Sequence, residues 1–164
     1  MQDEVEGVLN GNDIAIANLS QLEYTRRVFD ESSRLCPIGI GLPRVARQDD
    51  EMQGYFIPKG TNFIIAQYFT FRHPDFWDRP EEFDPDRFLP EKQKQRHKFA
   101  FFPFGGGQHV CIGKNLALME AITILATPIQ RFEIKLIPDL SMEIDPRFSL
   151  RPKYGVKVTI QHKS

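Results

Sequence analysis

Phe104-Gly105-Gly106-Gly107-Gln108-His109-Val110-Cys111-Ile112-Gly113 is the stretch on which the reading turns. Three successive glycines let a backbone approach something flat and bulky without Cβ clashes. Cys111 closes that loop, and an apolar, helix-periodic run follows from about 113 to 127. A thiol just before a helix N-terminus meets free N–H groups and the positive end of the dipole, which favour the thiolate. A thiolate on a glycine-rich loop is a good ligand for a soft or redox-active metal.

Other readings of the same residues compete. A lone cysteine is more often a small buried hydrophobe than a ligand. A phosphate loop fails, because position 112 holds Ile112 where a glycine is needed and Lys114 is followed by Asn115 rather than Ser or Thr. A zinc site fails, because no second cysteine or paired histidine lies at ligand spacing. A thiol nucleophile with His109 as its base stays open on spacing alone.

Upstream, Ser20 and Glu23 have the spacing of a capping box, and a helix is predicted from 21 to 36, stopped by Pro37. Its apolar stripe is Tyr24, Val28 and Leu35, with Glu31 on the same stripe and Arg34 within reach. A carboxylate there is costly unless it is paired. Residues 37–65 read as short strands broken by Gly and Pro, with a hairpin at 54–60 and a further strand at 62–68. Residues 74–90 hold four prolines and read as a long meander loop, packed on Phe76, Trp77, Phe83 and Phe88. The helix after Cys111 is apolar on most sides, so deep burial is predicted, with Pro128 ending or kinking it. Alternation at 132–136 and 156–160 predicts two half-buried strands.

The whole chain has 164 residues, 41% of them hydrophobic and 12% aromatic, with a formal net charge of −1. That composition belongs to a folded globular chain and gives no electrostatic footprint for nucleic acid. Two distant cysteines, Cys36 and Cys111, are not a disulfide scaffold. The first residues are acidic and polar, with no signal peptide, and no apolar run is long enough to span a bilayer, so a cytoplasmic location is expected. Residues 3–9 read as helix with nothing capping them, as though the chain opens inside a helical pattern.

Phe104, Gly107, Cys111 and Gly113 fill every fixed position of F-x-x-G-x-x-x-C-x-G, and the segment resembles the haem-ligand signature of the cytochrome P-450 family. Leu116, Ala117 and Glu120 resemble the start of the helix that follows it. Glu31-Ser32-Ser33-Arg34 resembles the family's E-x-x-R helix, and Phe83-Asp84-Pro85-Asp86-Arg87-Phe88 its meander motif. Three motifs in the right order make the resemblance specific.

The resemblance implies haem b ligated by the Cys111 thiolate, whose electron push favours O–O cleavage. It implies a haem-thiolate monooxygenase that inserts one oxygen atom of O2 into a small apolar substrate. Arg44 and His109 match positions that hold the haem propionates. Phe104 matches the aromatic beside the thiolate, and Gly105, Gly107 and Gly113 belong to the cofactor loop. Glu31, Arg34 and Arg87 are expected to form a buried ionic triad. Residues 38–42 resemble an edge of the substrate pocket. Lys92, Lys94, Arg96, His97, Lys98 and Lys114 would make a basic face near the ligand loop, suited to an acidic ferredoxin, a flavodoxin-like donor or a reductase. The fold class expected is α+β: the C-terminal, proximal part of a mainly helical fold, with small antiparallel sheets and a long meander. The distal oxygen-activating helix, with its (A/G)-G-x-(D/E)-T pattern, is absent from the sequence. The expectation is therefore a partial domain over 1–164, inactive alone; the alternative is a haem-binding module or a remnant without oxygen activation.

Overall fold

The structure is a computed structural model and describes residues 1–163 apart from Asp139, Leu140, Met142, Arg147 and Phe148. Helix α1 (Gln2–Leu9) presents Val5 and Leu9, one turn apart, and ends on Asn10 in the left-handed region. A short helix α2 (Ile16–Leu19) precedes α3 (Glu23–Leu35). Strands β1 (Leu42–Val45) and β4 (Asn62–Ile65) pair antiparallel, as do β2 (Asp50–Met52) and β3 (Tyr55–Ile57) between them. Helix α4 (Gln67–Thr70) leads into the meander, which carries a 3-10 turn at Pro85–Phe88 and then helix α5 (Pro90–Gln95). After the cysteine loop come α6 (Lys114–Arg131) and strands β5 (Phe132–Leu136), β6 (Ile144–Pro146), β7 (Leu150–Pro152) and β8 (Val158–His162). β5 pairs with β8 and β6 with β7, both antiparallel.

Two cores result. Val5, Leu9, Leu22, Ile122 and Ala126 join α1, the entry of α3 and α6. Trp77, Phe88 and Ala100, with Phe101 against them, pack the meander. The meander is thus ordered as expected, although Phe76 and Phe83 stay largely exposed.

Several local expectations are corrected. The α3 helix starts at Glu23, and Ser20 terminates α2 instead of capping α3. The cap comes from another helix: the Glu4 carboxylate accepts from the backbone N–H groups of Tyr24 and Thr25 and from the Thr25 hydroxyl. A carboxylate is a stronger acceptor for those orphan donors than a serine hydroxyl. The hairpin turns at Gln53-Gly54, both with positive φ, rather than within 54–60. The strand from 62 ends at Ile65, because α4 begins two residues later. The last strand is shifted two residues, to Val158–His162.

Pro128 lies inside α6 and does not end it. The last turn is held from outside: Gln130 donates to the Asn12 carbonyl, Arg131 pairs with Asp13, and the Lys163 N–H donates to the Arg131 carbonyl. These contacts offset the one ladder bond a proline forfeits. Nor is α6 buried all round. Leu118, Ile122 and Ala126 are inside, while Leu116 is 58% and Ile124 68% exposed. One face packs on α1, α2 and α3, while Leu116 and Ile124 remain largely in water.

Candidate functional site

The cysteine loop is built on a short ladder of main-chain bonds. The Gly105 N–H donates to the Phe102 carbonyl at 2.9 Å, and the Cys111 N–H donates to the Phe104 carbonyl at 2.8 Å. Between them lies a 3-10 turn at Gly107–His109. Gly105 has φ +76°, and a methyl group there would come within 3.1 Å of the His109 carbonyl oxygen, so a side chain is excluded on two grounds. Gly107 has φ +64° with nothing within 4 Å of where its Cβ would stand, so that side of the loop is open. Gly113 is the N-cap of α6, and a methyl group on it would lie 3.8 Å from the Cys111 sulfur. Cys111 is exposed and unpaired to Cys36.

Beside the loop runs an open, mainly apolar groove of about 470 Å3, lined by Leu42, Arg44, Ile65, Thr70, Phe99, Phe102, Gly106 and Gly107. Arg44 sits on β1 at its rim, its guanidinium donating to the Pro43 carbonyl. His109 and Cys111 stand outside that lining, on the exposed turn. Phe104 is half-buried and faces a second cavity with Arg26, Asp30, Lys98 and Lys114. Of residues 38–42, Ile38 is exposed and Leu42 reaches the groove.

Glu31 and Arg34 are both fully buried and paired through two bonds of 2.8 Å. The Arg34 guanidinium also donates to the carbonyls of Phe71, Pro80 and Glu82. Glu31 accepts the Asp84 N–H at 2.9 Å, and the Arg87 Nε lies 3.5 Å from the same oxygen. Arg87 spends its other nitrogens on the carbonyls of Asp78 and Arg79. The α3 helix thus grips the meander through charge-assisted bonds to backbone. Two guanidinium groups approach the Trp77 ring, Arg34 at 5.0 Å and Arg96 at 4.0 Å.

Arg96 therefore does not belong to a free basic face. It donates to the Arg87 carbonyl and rests on Trp77 and Phe88. Burial and the nearby Arg87 charge push its pKa below the usual guanidinium range. Lys92, Lys94, His97, Lys98 and Lys114 are exposed. Asp30, also buried, pairs with Arg26 at 2.9 Å; burial raises its carboxyl, and Arg26 and Lys114 pull the other way. Sequence reasoning missed Asp30, Gln67 and the inward turn of Arg96. Asp30, next to Glu31, carried no signal of its own, and Arg96 was lost in a charge run.

The donor set fits a haem. Among the described residues no group of three His, Cys, Asp or Glu could hold a bare metal ion. An exposed lone thiol beside a glycine-lined apolar groove suits a metal that brings most of its own ligands in a flat ring.

Comparison with known proteins identifies the class. The cytochrome P-450 family profile matches residues 1–160. Cyclooctatin synthase of Streptomyces melanosporofaciens is 36% identical over 147 residues, covering 90% of this chain and 32% of that protein. A putative cytochrome P-450 132 of Mycobacterium tuberculosis is 35% identical over 158 residues, covering 96% of this chain and 34% of its own length. The crystal structure of a cytochrome P-450DA heme domain superposes with a TM-score of 0.92 at 28% identity, covering 99% of this chain and 36% of that one. The chain belongs to the cytochrome P-450 family, whose cofactor is haem. It spans about a third of the length of these relatives. No helix among the described residues is long and apolar enough to cross a membrane.

Proposed function

We propose that this chain is the haem-holding part of a haem-thiolate monooxygenase, with Cys111 as the protein ligand to the iron. The observation that carries the reading is the exposed thiol of Cys111, at the end of a glycine loop that opens onto an apolar groove and leads into α6. Bound haem supplies the oxygen activation. The chain's own residues bind and orient it. Gly105, Gly106 and Gly107 let the backbone lie close to a flat ring, Gly113 leaves room beside the sulfur, and the N-terminus of α6 stabilises negative charge on that sulfur. Arg44, at the groove rim, and His109, on the loop, carry the donors for the propionate carboxylates. Phe104 packs behind the loop.

The substrate is a small apolar molecule, in keeping with the apolar lining at Leu42 and Ile65. The electron donor is a protein with an acidic surface, a ferredoxin, a flavodoxin-like protein or a reductase, attracted by Lys92, Lys94, Lys98 and Lys114. The exposed face of α6 and the one-third coverage of relatives support reading residues 1–164 as a partial domain that holds haem without completing turnover.

The test is a haemin titration followed by an assay for NADPH- and donor-dependent hydroxylation. Stoichiometric uptake that Cys111→Ala weakens at least about tenfold, with no steady turnover, is the expected result. Uptake indifferent to Cys111→Ala would overturn the ligand assignment, and steady hydroxylation by the 164-residue chain would overturn the partial-domain reading.

A further inference from the structure

We propose that Gln67 is a positioning residue for the cysteine loop: its side-chain amide fixes the carbonyl from which the loop springs, and thereby the place of Cys111. Gln67 is 2% exposed, a neutral amide buried where α4 begins. Its Nε2 donates to the Phe102 carbonyl at 2.5 Å. That oxygen also accepts the Gly105 N–H at 2.9 Å, and Phe104, between the two, offers its carbonyl to the Cys111 N–H. Two donors on one carbonyl use both of its lone pairs and leave the peptide plane no freedom to rotate.

The clamp is itself held. The Tyr68 N–H donates to the Ile40 carbonyl, which ties α4 to the segment ahead of β1. The Phe71 N–H donates to the Gln67 carbonyl, and the Phe71 ring packs on Phe101 at 5.1 Å and Phe102 at 5.2 Å. A methyl group on Gly39 would lie 3.6 Å from the Gln67 Oε1, so that segment closes over the amide. Gln67 thus stands where three strips of chain meet, and each of them lines the groove, through Leu42, through Thr70 of α4, and through Phe102, Gly106 and Gly107. An apolar side chain would fill the same space. What the amide adds is a directional bond to one carbonyl, two residues before Phe104. A group that must hold a sulfur atom within a few tenths of an ångström needs such a device.

The inference rests on Cys111 being the haem ligand, but its first test does not. Amide hydrogen exchange is measured on the 164-residue chain, wild type against Gln67→Met, a side chain of similar length without the donor. The N–H groups of Gly105 and Cys111 are expected to exchange about tenfold faster in the variant, the effect of one buried hydrogen bond. Ile134 and Ile160, paired in the β5–β8 sheet, are expected to stay within about twofold. Gln67→Asn keeps an amide but is one methylene short, and the same selective loss is expected of it should the Met variant not fold. A Phe71→Leu control keeps the bond and weakens only packing, so it should speed no one site preferentially. Unchanged exchange at Gly105 and Cys111, a uniform rise across all sites, or no protection of Cys111 in the wild type would each overturn the proposal.

The second readout is the carbon-monoxide spectrum of the reduced, haem-loaded chain. The share of thiolate-type band is expected to fall at least about twofold in Gln67→Met, as when a supporting residue behind a metal ligand is lost. An unchanged share would overturn the inference toward haem. A wild-type chain with no thiolate band at all would overturn the ligand assignment instead, and the exchange result would still decide the clamp.

Discussion

The Glu31 centre and the free face of α6 are built on opposite principles. Around Glu31, charged groups are sealed inside: Glu31 and Arg34 have no exposure, and they engage each other, the Arg87 guanidinium 3.5 Å away, the Phe71 carbonyl, and four backbone groups or rings of the meander. On α6, apolar groups are left outside: Leu116, Ile124 and the preceding Ile112 stand in water. Polar groups inside and apolar groups outside invert the usual arrangement. Each inversion has a cause. The ionic centre orders a proline-rich meander that has no ladder of its own. The bare face marks where this third of a cytochrome P-450 domain is proposed to meet the remainder. The first region has its partners within the chain, and the second is exposed to solvent.

The largest expected effect comes from breaking the complete region. Glu31→Ala leaves two buried guanidinium groups without their counter-charge, a loss of about 3–5 kcal/mol. With total stabilities of roughly 5–15 kcal/mol for domains of this kind, urea melts should show a chain at or near unfolding. A midpoint within error of wild type would mean that the ionic centre is an ornament of the fold. The groove wall comes next. A methyl group on Gly41 would meet the Ile64 side chain at 2.4 Å and the Ile65 carbonyl at 3.0 Å. Gly41→Ala should cost about 1–3 kcal/mol by forcing β4 away, read as a lower thermal midpoint and weaker haem uptake together.

Asp30 gives a smaller effect with a definite sign. Burial raises its carboxyl above the ordinary value of 3.8 in the folded chain. Between the two values the folded chain binds more protons than the unfolded one, so stability falls as pH rises through that window. Asp30→Asn has no such window. Its thermal midpoint relative to wild type should climb as pH rises above the ordinary Asp value of 3.8; a constant difference would mean that Arg26 fully compensates the burial. The smallest effect lies on the bare face, where Ile124→Lys should change stability by no more than about 0.5 kcal/mol. A loss of several times that would mean the face is covered in the chain's own fold.

Much of this was legible in the sequence. The cysteine loop before a helix, Glu31 within reach of Arg34, and an ordered meander all follow from local spacing and from side chains that need partners, whereas Arg87 was implied by the family resemblance alone. What was not legible depends on distant residues. Glu4 caps a helix whose own sequence offered Ser20 for the task, because nothing local announces a carboxylate arriving from α1. Pro128 stays helical because Asn12, Asp13 and Lys163 hold the turn beyond it. The apolar circumference of α6 foretold burial, and burial requires partners that the described chain does not supply. Gln67 carries no signal in the sequence, and only the carbonyl of Phe102 gives it meaning.

The central claim is that Cys111 is a haem ligand, and the reduced carbon-monoxide difference spectrum of the haemin-loaded chain tests it most directly, wild type against Cys111→Ala. A Soret band shifted far to the red in the wild type and missing from the variant is the expected result. A band at the ordinary histidine-haem position, unchanged by Cys111→Ala, would contradict the account.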